Sequence, residues 1–85
     1  MKTFDYTITD PQGIHARPAG ELVKEAKNFE SSVQIGKAGK YMDCKKIFGI
    51  MGLAIKKDET VTFQIEGNDE DAATEAIEAF MKATL

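Results

Sequence analysis

The sequence predicts one small α/β (α+β) domain over residues 1–85, an open-faced β-sandwich in which three helices cover one face of a four-stranded antiparallel sheet. Two segments alternate apolar and polar residues with the two-residue period of a half-buried strand. Two others repeat apolar residues at the spacing of an amphipathic helix. With a hairpin and a short helix between them, the order is β-α-β-β-α-β-α, and 85 residues suffice for one core only.

The first and last strands have the clearest pattern. We expect them over residues 3–9 and 60–66, where every second residue is apolar. The apolar positions are Phe4, Tyr6 and Ile8 in the first strand and Val61, Phe63 and Ile65 in the last. Val33 and Ile35 begin a second strand, a glycine-containing turn spans residues 37–40, and residues 41–44 return as a third strand.

The first helix should begin near residues 15 and 16. The preceding segment, residues 10–13, has the aspartate, proline and glycine of a tight turn. Pro18 fits only in the first helical turn, where its missing N–H breaks no hydrogen bond. The buried face of this helix is predicted to consist of Ala19, Leu22, Val23 and Ala26.

The second helix is predicted to be short and weak, and the third to be longer. Residues 47–55 contain two glycines, but their apolar residues have helical spacing: Ile47, Ile50, Met51 and Ala54. In the third helix, Asn68 is the predicted N-terminal cap, and acidic residues follow it in the first turn. Its buried positions are predicted to be Ala73, Ala76, Ile77 and Phe80.

Composition excludes several classes of protein. The formal charge of −3 argues against a nucleic-acid binder, although six lysines lie between residues 37 and 57 and eight acids follow from Asp58 onward. No apolar run could span a membrane and the N-terminus lacks a signal peptide's apolar region, so we expect a cytoplasmic protein without membrane insertion. Cys44 is the one cysteine, which excludes an intramolecular disulfide and a CxxC motif, and we expect its role to be structural or incidental.

His15 is the one histidine and the strongest candidate for chemistry. It lies where the glycine turn enters the first helix, and the first N–H groups of a helix form a favourable site for an anion such as phosphate. Arg17 adds a permanent positive charge whose geometry suits phosphate oxygens. An imidazole can both accept and release a phosphoryl group without a metal, which is the chemistry of a carrier.

Two segments resemble signatures of the HPr family, the histidine-containing phosphocarriers of the phosphoenolpyruvate-dependent sugar phosphotransferase system. GIHARP, residues 13–18, is similar to the family's active-site stretch, and CKKIFGIMGLAI, residues 44–55, to its second helix. The resemblance implies that His15 accepts phosphate on Nδ1 from phospho-enzyme I and delivers it to an enzyme IIA domain. It further implies that Arg17 and the backbone amides of Ala16 and Arg17 hold the phosphate oxygens. The protein would be a carrier rather than an enzyme, and it would need no cofactor or metal.

The same resemblance predicts where partner proteins dock. Phe48 lies off the predicted apolar stripe of the second helix, and Met51 and Leu53 would add apolar area around it. Three lysines could meet acidic partners around this patch: Lys24, Lys27 and Lys45. Lys46 occupies the position at which many family members carry a regulatory serine, so it cannot be phosphorylated by the family's serine kinase. We expect a monomer, because the docking patch must remain free, although pairing of edge strands stays open.

Three alternatives remain open from the sequence. The chain could be a paralogue that serves a nitrogen or metabolic regulatory relay, or one that only binds and regulates. It could be a small enzyme that uses His15 and Cys44 as a base and a nucleophile. It could bind RNA through its lysine-rich middle, which the acidic remainder disfavours.

Overall fold

Seven elements follow one another in the predicted order β-α-β-β-α-β-α in a computed structural model that describes residues 1–85. The strands are β1 (Lys2–Thr7), β2 (Ser32–Lys37), β3 (Lys40–Asp43) and β4 (Thr60–Glu66). The helices are α1 (Ala16–Lys27), α2 (Ile47–Gly52) and α3 (Glu70–Thr84). None of these helices is both long enough and apolar enough to cross a bilayer.

The four strands form one antiparallel sheet in the order β1-β4-β2-β3. Because β4 lies between two neighbours, all three of its predicted apolar residues are fully buried, and Phe63 is opposite Phe4 on β1 and Ile35 on β2. The rings of Phe4 and Phe63 stack with their centroids 4.9 Å apart, a separation typical of favourable aromatic pairs. The alternation seen in the sequence therefore places the core on one face of the sheet.

The helices cover that face, as predicted. The core includes Ala19, Leu22 and Ala26 of α1 and Ala73, Ile77 and Met81 of α3. The other face of the sheet carries polar pairs such as Gln34 opposite Gln64 and stays open. The open-faced sandwich is confirmed.

The predicted apolar stripes of the helices need correction. α2 ends at Gly52, so Ala54 is not helical and instead has a left-handed φ of 50°. Met51 is 38% exposed, and the core contribution of this region comes from Ile50, Leu53 and Ile55. In α3, Met81 is buried where Phe80 was expected, and Phe80 and Ala76 are half-buried. Val23 of α1 is also only half-buried.

The N-terminal cap of α3 is Asp69 rather than Asn68. Its carboxylate does not bond to its own helix but accepts the backbone N–H groups of Glu30 and Ser31, both at 2.9 Å, and the Ser31 hydroxyl. The hydrogen bond from the Ser31 hydroxyl, followed by that from the Glu30 N–H, lowers the pKa of Asp69 below its usual value. One carboxylate thus ties the start of α3 to the segment before β2.

Asp69→Asn is expected to lower the free energy of unfolding at neutral pH. The free energy of unfolding of the variant should also fall less steeply as the pH is lowered. A carboxyl whose pKa is lowered in the folded state contributes stability above its unfolded pKa, near 3.8, and loses it as the pH falls through the folded pKa. Urea unfolding at pH 7 and at pH 3 checks this, since the difference in free energy of unfolding between wild type and variant should be smaller at the lower pH. Asp71→Asn, which changes an exposed acid on the same helix, is the matched control. A gap that does not change with pH would contradict the prediction.

Candidate functional site

A tight turn over residues 10–13 delivers the chain to α1. The Gly13 N–H donates to the Asp10 carbonyl oxygen at 2.9 Å, and the Gln12 N–H donates to Asp10 Oδ1 at 2.8 Å. Aspartate in the first position, proline in the second and glycine in the fourth are the residues that such a turn favours. The predicted turn is therefore confirmed, and its side-chain bond makes it stiffer than the backbone alone would.

Gly13 is required by its conformation and by its surroundings. Its φ of 67° lies in the left-handed region, and a Cβ at this position would collide with the Ile55 carbonyl oxygen and lie 2.7 Å from the Lys56 Cα. The Ile14 N–H donates to the same Ile55 oxygen at 3.1 Å. The segment that follows α2 thus forms a close support behind the residues that precede His15.

Lys37 fixes this supporting segment to β2. Its Nζ donates to the Ala54 carbonyl oxygen and to Glu59 Oε1, both at 2.9 Å. Glu59 Oε1 also accepts the Lys56 N–H at 2.7 Å, and these bonds, the one from Lys37 first, lower the pKa of Glu59. The support behind Gly13 is therefore held at both of its ends.

His15 is the N-terminal cap residue of α1, with an extended backbone at φ −102° and ψ −178°. Its carbonyl oxygen accepts the Ala19 N–H at 2.9 Å, while its side chain makes no capping hydrogen bond. The imidazole is 38% exposed, and its Nε2 lies 3.6 Å from Asp10 Oδ2. The ring therefore stands at the helix start with one nitrogen toward a carboxylate.

The other predicted phosphate-binding groups follow directly on α1. Ala16 and Arg17 are exposed, and both lie in the first turn, where backbone N–H groups have no acceptor within the helix. No ion pair involves the Arg17 guanidinium. The imidazole, the free amides and a free guanidinium are thus collected at one helix end, as the sequence suggested.

The predicted docking residues are only partly on the surface. Phe48 is 87% exposed and Met51 38%, so α2 presents an apolar patch made of these two side chains. Leu53 is only 8% exposed and belongs to the core, because the chain turns inward after Gly52. The prediction that Leu53 contacts partners therefore needs correction, since its side chain is not available on the surface.

The predicted basic residues are held in different ways. Lys24 and Lys27 are exposed on α1. Lys45 is half-buried, and its Nζ donates to the Phe29 carbonyl oxygen at 2.8 Å, which ties it to the fold. Lys46 is exposed as the cap residue of α2 and makes no side-chain capping bond. Two of the three predicted docking lysines therefore have free ammonium groups.

Cys44 cannot act as a nucleophile beside His15. Its side chain is completely buried, and this burial, with a smaller effect of the Asp43 charge, raises the pKa of the thiol to about 12. A groove between α1 and α3 does not include His15. His15 thus stands on open surface, which argues against the enzyme with a His–Cys pair.

Asp10 is the one site residue that sequence reasoning missed. The sequence pattern of residues 10–13 predicts a turn and indicates no role for the Asp10 carboxylate toward His15. The available signal was an acidic residue in the first position of a tight turn that folds back on a histidine two residues after it ends. Only the closed turn brings Asp10 Oδ2 to the ring.

Comparison with known proteins identifies the family. Residues 2–83 match the family model described as "PTS HPr component phosphorylation site". The chain belongs to the HPr family. The phosphocarrier protein HPr of Lysinibacillus sphaericus is 47% identical over 77 residues, which cover 91% of this chain and 88% of the relative. Membership in the HPr family supports the role of a phosphocarrier of the phosphotransferase system rather than that of a catalytic enzyme.

Solved structures confirm the HPr fold. A histidine-containing phosphocarrier protein of Mycoplasma superposes with a TM-score of 0.94 at 42% identity, covering 98% of this chain and 94% of that one. The Bacillus subtilis catabolite-repression protein Crh superposes with a TM-score of 0.79 at 35% identity, covering 94% and 92% of the two chains, and was solved as a dimer with a swapped domain. At least one protein with this fold has therefore been solved as a dimer.

Proposed function

We propose that this member of the HPr family accepts a phosphoryl group on His15 Nδ1 from phospho-enzyme I and transfers it to sugar-specific enzyme IIA domains in sugar uptake. The single observation that carries the proposal is the half-exposed imidazole at the start of α1, with Nε2 directed to Asp10. Because Nε2 faces a carboxylate, Nδ1 is the ring nitrogen left for the phosphoryl group. Membership in a family of phosphocarriers supports the same role.

The neighbouring groups suit a phosphate that must be held briefly and then released. The amides of Ala16 and Arg17 would donate to its oxygens, and the guanidinium of Arg17 would balance its charge. Both residues are exposed, so a partner can reach the phosphate directly. The N–P bond of a phosphoimidazole weakens when the ring is protonated, so both acceptance and release proceed without a metal or cofactor.

Docking of both partners is proposed to use the apolar patch of Phe48 and Met51. An exposed phenylalanine on a small domain costs solubility and suits a surface that is buried in complexes. Lys24 and Lys27 would attract acidic partner surfaces and raise the rate of encounter. A monomer suits this use, since each partner must find the patch free. Lys45 would contribute less, because its ammonium is already bonded to Phe29.

Phe48→Ala is expected to raise the Kd for enzyme I by about 10- to 100-fold, because burying a phenylalanine contributes roughly 1.5 to 3 kcal/mol. The free energy of unfolding should stay nearly the same, since the side chain is 87% exposed. Isothermal titration calorimetry measures the affinity. Tyr41→Leu changes an exposed aromatic residue on the sheet and should leave the Kd unchanged. Equal Kd values for wild type and Phe48→Ala would exclude this patch.

Lys46 is proposed to keep the protein outside regulation by serine phosphorylation at the start of α2. Incubation with an HPr serine kinase and ATP should leave the wild type unmodified, and Lys46→Ser should gain an acid-stable phosphate. If Lys46→Ser gains none, residue 46 alone does not block that regulation.

The proposed function is tested by incubation with enzyme I and phosphoenolpyruvate, followed by intact mass analysis. We expect the mass of one phosphoryl group, lost in acid and retained in alkali, as a phosphohistidine requires and a phosphoserine does not. Adding enzyme IIA domains one at a time should then remove it. Absence of any phosphate with an active enzyme I would reject the proposal, whereas a phosphate that no sugar-specific IIA domain removes would favour the regulatory relay.

A further inference from the structure

Asp10 is the one acidic residue whose carboxylate lies close to a ring nitrogen of His15. Asp10 Oδ2 lies 3.6 Å from His15 Nε2, and the two side chains are 23% and 38% exposed. The Asp10 carboxylate therefore lies at the Nε2 edge of the ring and not at the Nδ1 edge. A carboxylate at this edge favours the neutral tautomer that has its proton on Nε2, and it can also balance the charge of an imidazolium.

Asp10 is held in place by its own backbone and by the turn. Its N–H donates to the Leu85 carbonyl oxygen at 3.0 Å, and its carbonyl oxygen accepts the Gly13 N–H at 2.9 Å. Its Oδ1 accepts the Gln12 N–H at 2.8 Å. With these three bonds made, Oδ2 is the atom left to face the ring, so the direction of the carboxylate is set before any phosphate arrives.

We propose that Asp10 is a positioning residue for phosphoryl transfer: it keeps the proton of His15 on Nε2 and leaves Nδ1 as the nucleophile. This inference rests on the proposed function and adds a residue to it. In the transfer step the Nδ1 lone pair forms a bond to phosphorus, and the bond from phosphorus to the donor breaks with its electron pair leaving on the donor. The proton stays on Nε2, so the ring becomes positively charged beside the Asp10 carboxylate.

The positive and negative residues near His15 would act on different parts of the phosphorylated side chain. Arg17 on α1 and Lys56 in the segment packed against Gly13 are positive, and Asp10 is the acid that pairs with the ring. Arg17 favours the phosphoryl group but disfavours a positive ring, whereas Asp10 favours the positive ring. Removing the Asp10 charge should therefore weaken protonation of the phosphorylated ring while the phosphate-binding groups remain.

Asp10→Asn tests the proposal without removing the turn, because the asparagine Oδ1 can still accept the Gln12 N–H. The protein is phosphorylated with phosphoramidate, a small donor, and hydrolysis of the phosphohistidine is followed against pH. The fall in hydrolysis rate with rising pH should be centred about 0.5 to 1 pH unit lower in the variant. Phosphorylation by enzyme I should be about 3- to 10-fold slower, with the thermal unfolding temperature nearly unchanged.

Asp58→Asn is the matched control, since it makes the same substitution at an exposed acid in the segment behind the turn. It should leave the hydrolysis profile and the rate unchanged. An unchanged profile in Asp10→Asn, or equal shifts in both variants, would overturn the proposal. Because phosphoramidate needs no partner, failure of enzyme I to phosphorylate the wild type would count against the proposed function alone.

Discussion

His15→Ala is expected to abolish phosphorylation by enzyme I and phosphoenolpyruvate, with a loss of at least about 1000-fold in rate. The reason is chemical: the chain has one histidine, and the Cys44 thiol is buried. Intact mass analysis after incubation with enzyme I measures the result. An acid-labile phosphate that persists on His15→Ala would show that another residue is the acceptor.

Two controls separate loss of the acceptor from loss of the fold. The His15 side chain makes no capping hydrogen bond and is 38% exposed, so the free energy of unfolding should change by less than about 0.5 kcal/mol. The variant also retains Phe48 and Met51. It should therefore compete with the wild type for enzyme I and slow the phosphorylation of the wild type when present in excess. A variant that neither accepts phosphate nor competes would indicate a damaged surface instead.

Gly13→Ala is expected to destabilise the protein by about 2 to 4 kcal/mol and to slow phosphorylation of His15. The left-handed φ of 67° costs an alanine about 1 kcal/mol, and the collision with Ile55 and Lys56 adds roughly 1 to 3 kcal/mol. For a domain of this size the unfolding temperature should fall by about 10 to 25 °C. Thermal unfolding by circular dichroism provides the measurement.

Two other glycines serve as matched controls for Gly13→Ala. Gly39 also has a left-handed φ, 82°, but a Cβ there would meet nothing within 4 Å, so Gly39→Ala should cost only about 1 kcal/mol. Gly52, at the end of α2, has neither problem, and Gly52→Ala should be neutral or slightly stabilising. If Gly13→Ala costs no more than Gly39→Ala, then the contact with Ile55 is not what requires glycine at position 13.

Most elements of the fold could be predicted because their signals are local. The alternation in residues 60–66 and the buried spacing of Ala19, Leu22 and Ala26 each reflect one face of one element against one core. The turn before α1 and the helix start at Ala16 depend on proline and glycine within a few residues. Such preferences act within one segment, so they can be recognised before the segments meet.

The predictions that failed depend on contacts between distant segments. The N-terminal cap of α3 is Asp69 rather than Asn68, and the Asp69 carboxylate accepts hydrogen bonds from residues 38 and 39 positions earlier in the chain. Leu53 is buried and Met51 half-exposed because α2 stops at Gly52 and the chain then turns toward the core. Apolar periodicity can continue past the residue at which a helix ends, and it contains no information about hydrogen bonds to residues far away in the sequence.

The candidate site divides in the same way. His15, Arg17 and the free amides at the start of α1 could be named from the sequence alone, because a glycine turn, a histidine and an early proline in a helix are one continuous segment. The sequence by itself therefore determined the fold class and was sufficient to name His15 as the candidate phosphate acceptor. Only the tertiary structure decided that Asp10 faces Nε2 and that Ile55 supports Gly13, because these contacts exist only after the turn closes and the segment behind it packs.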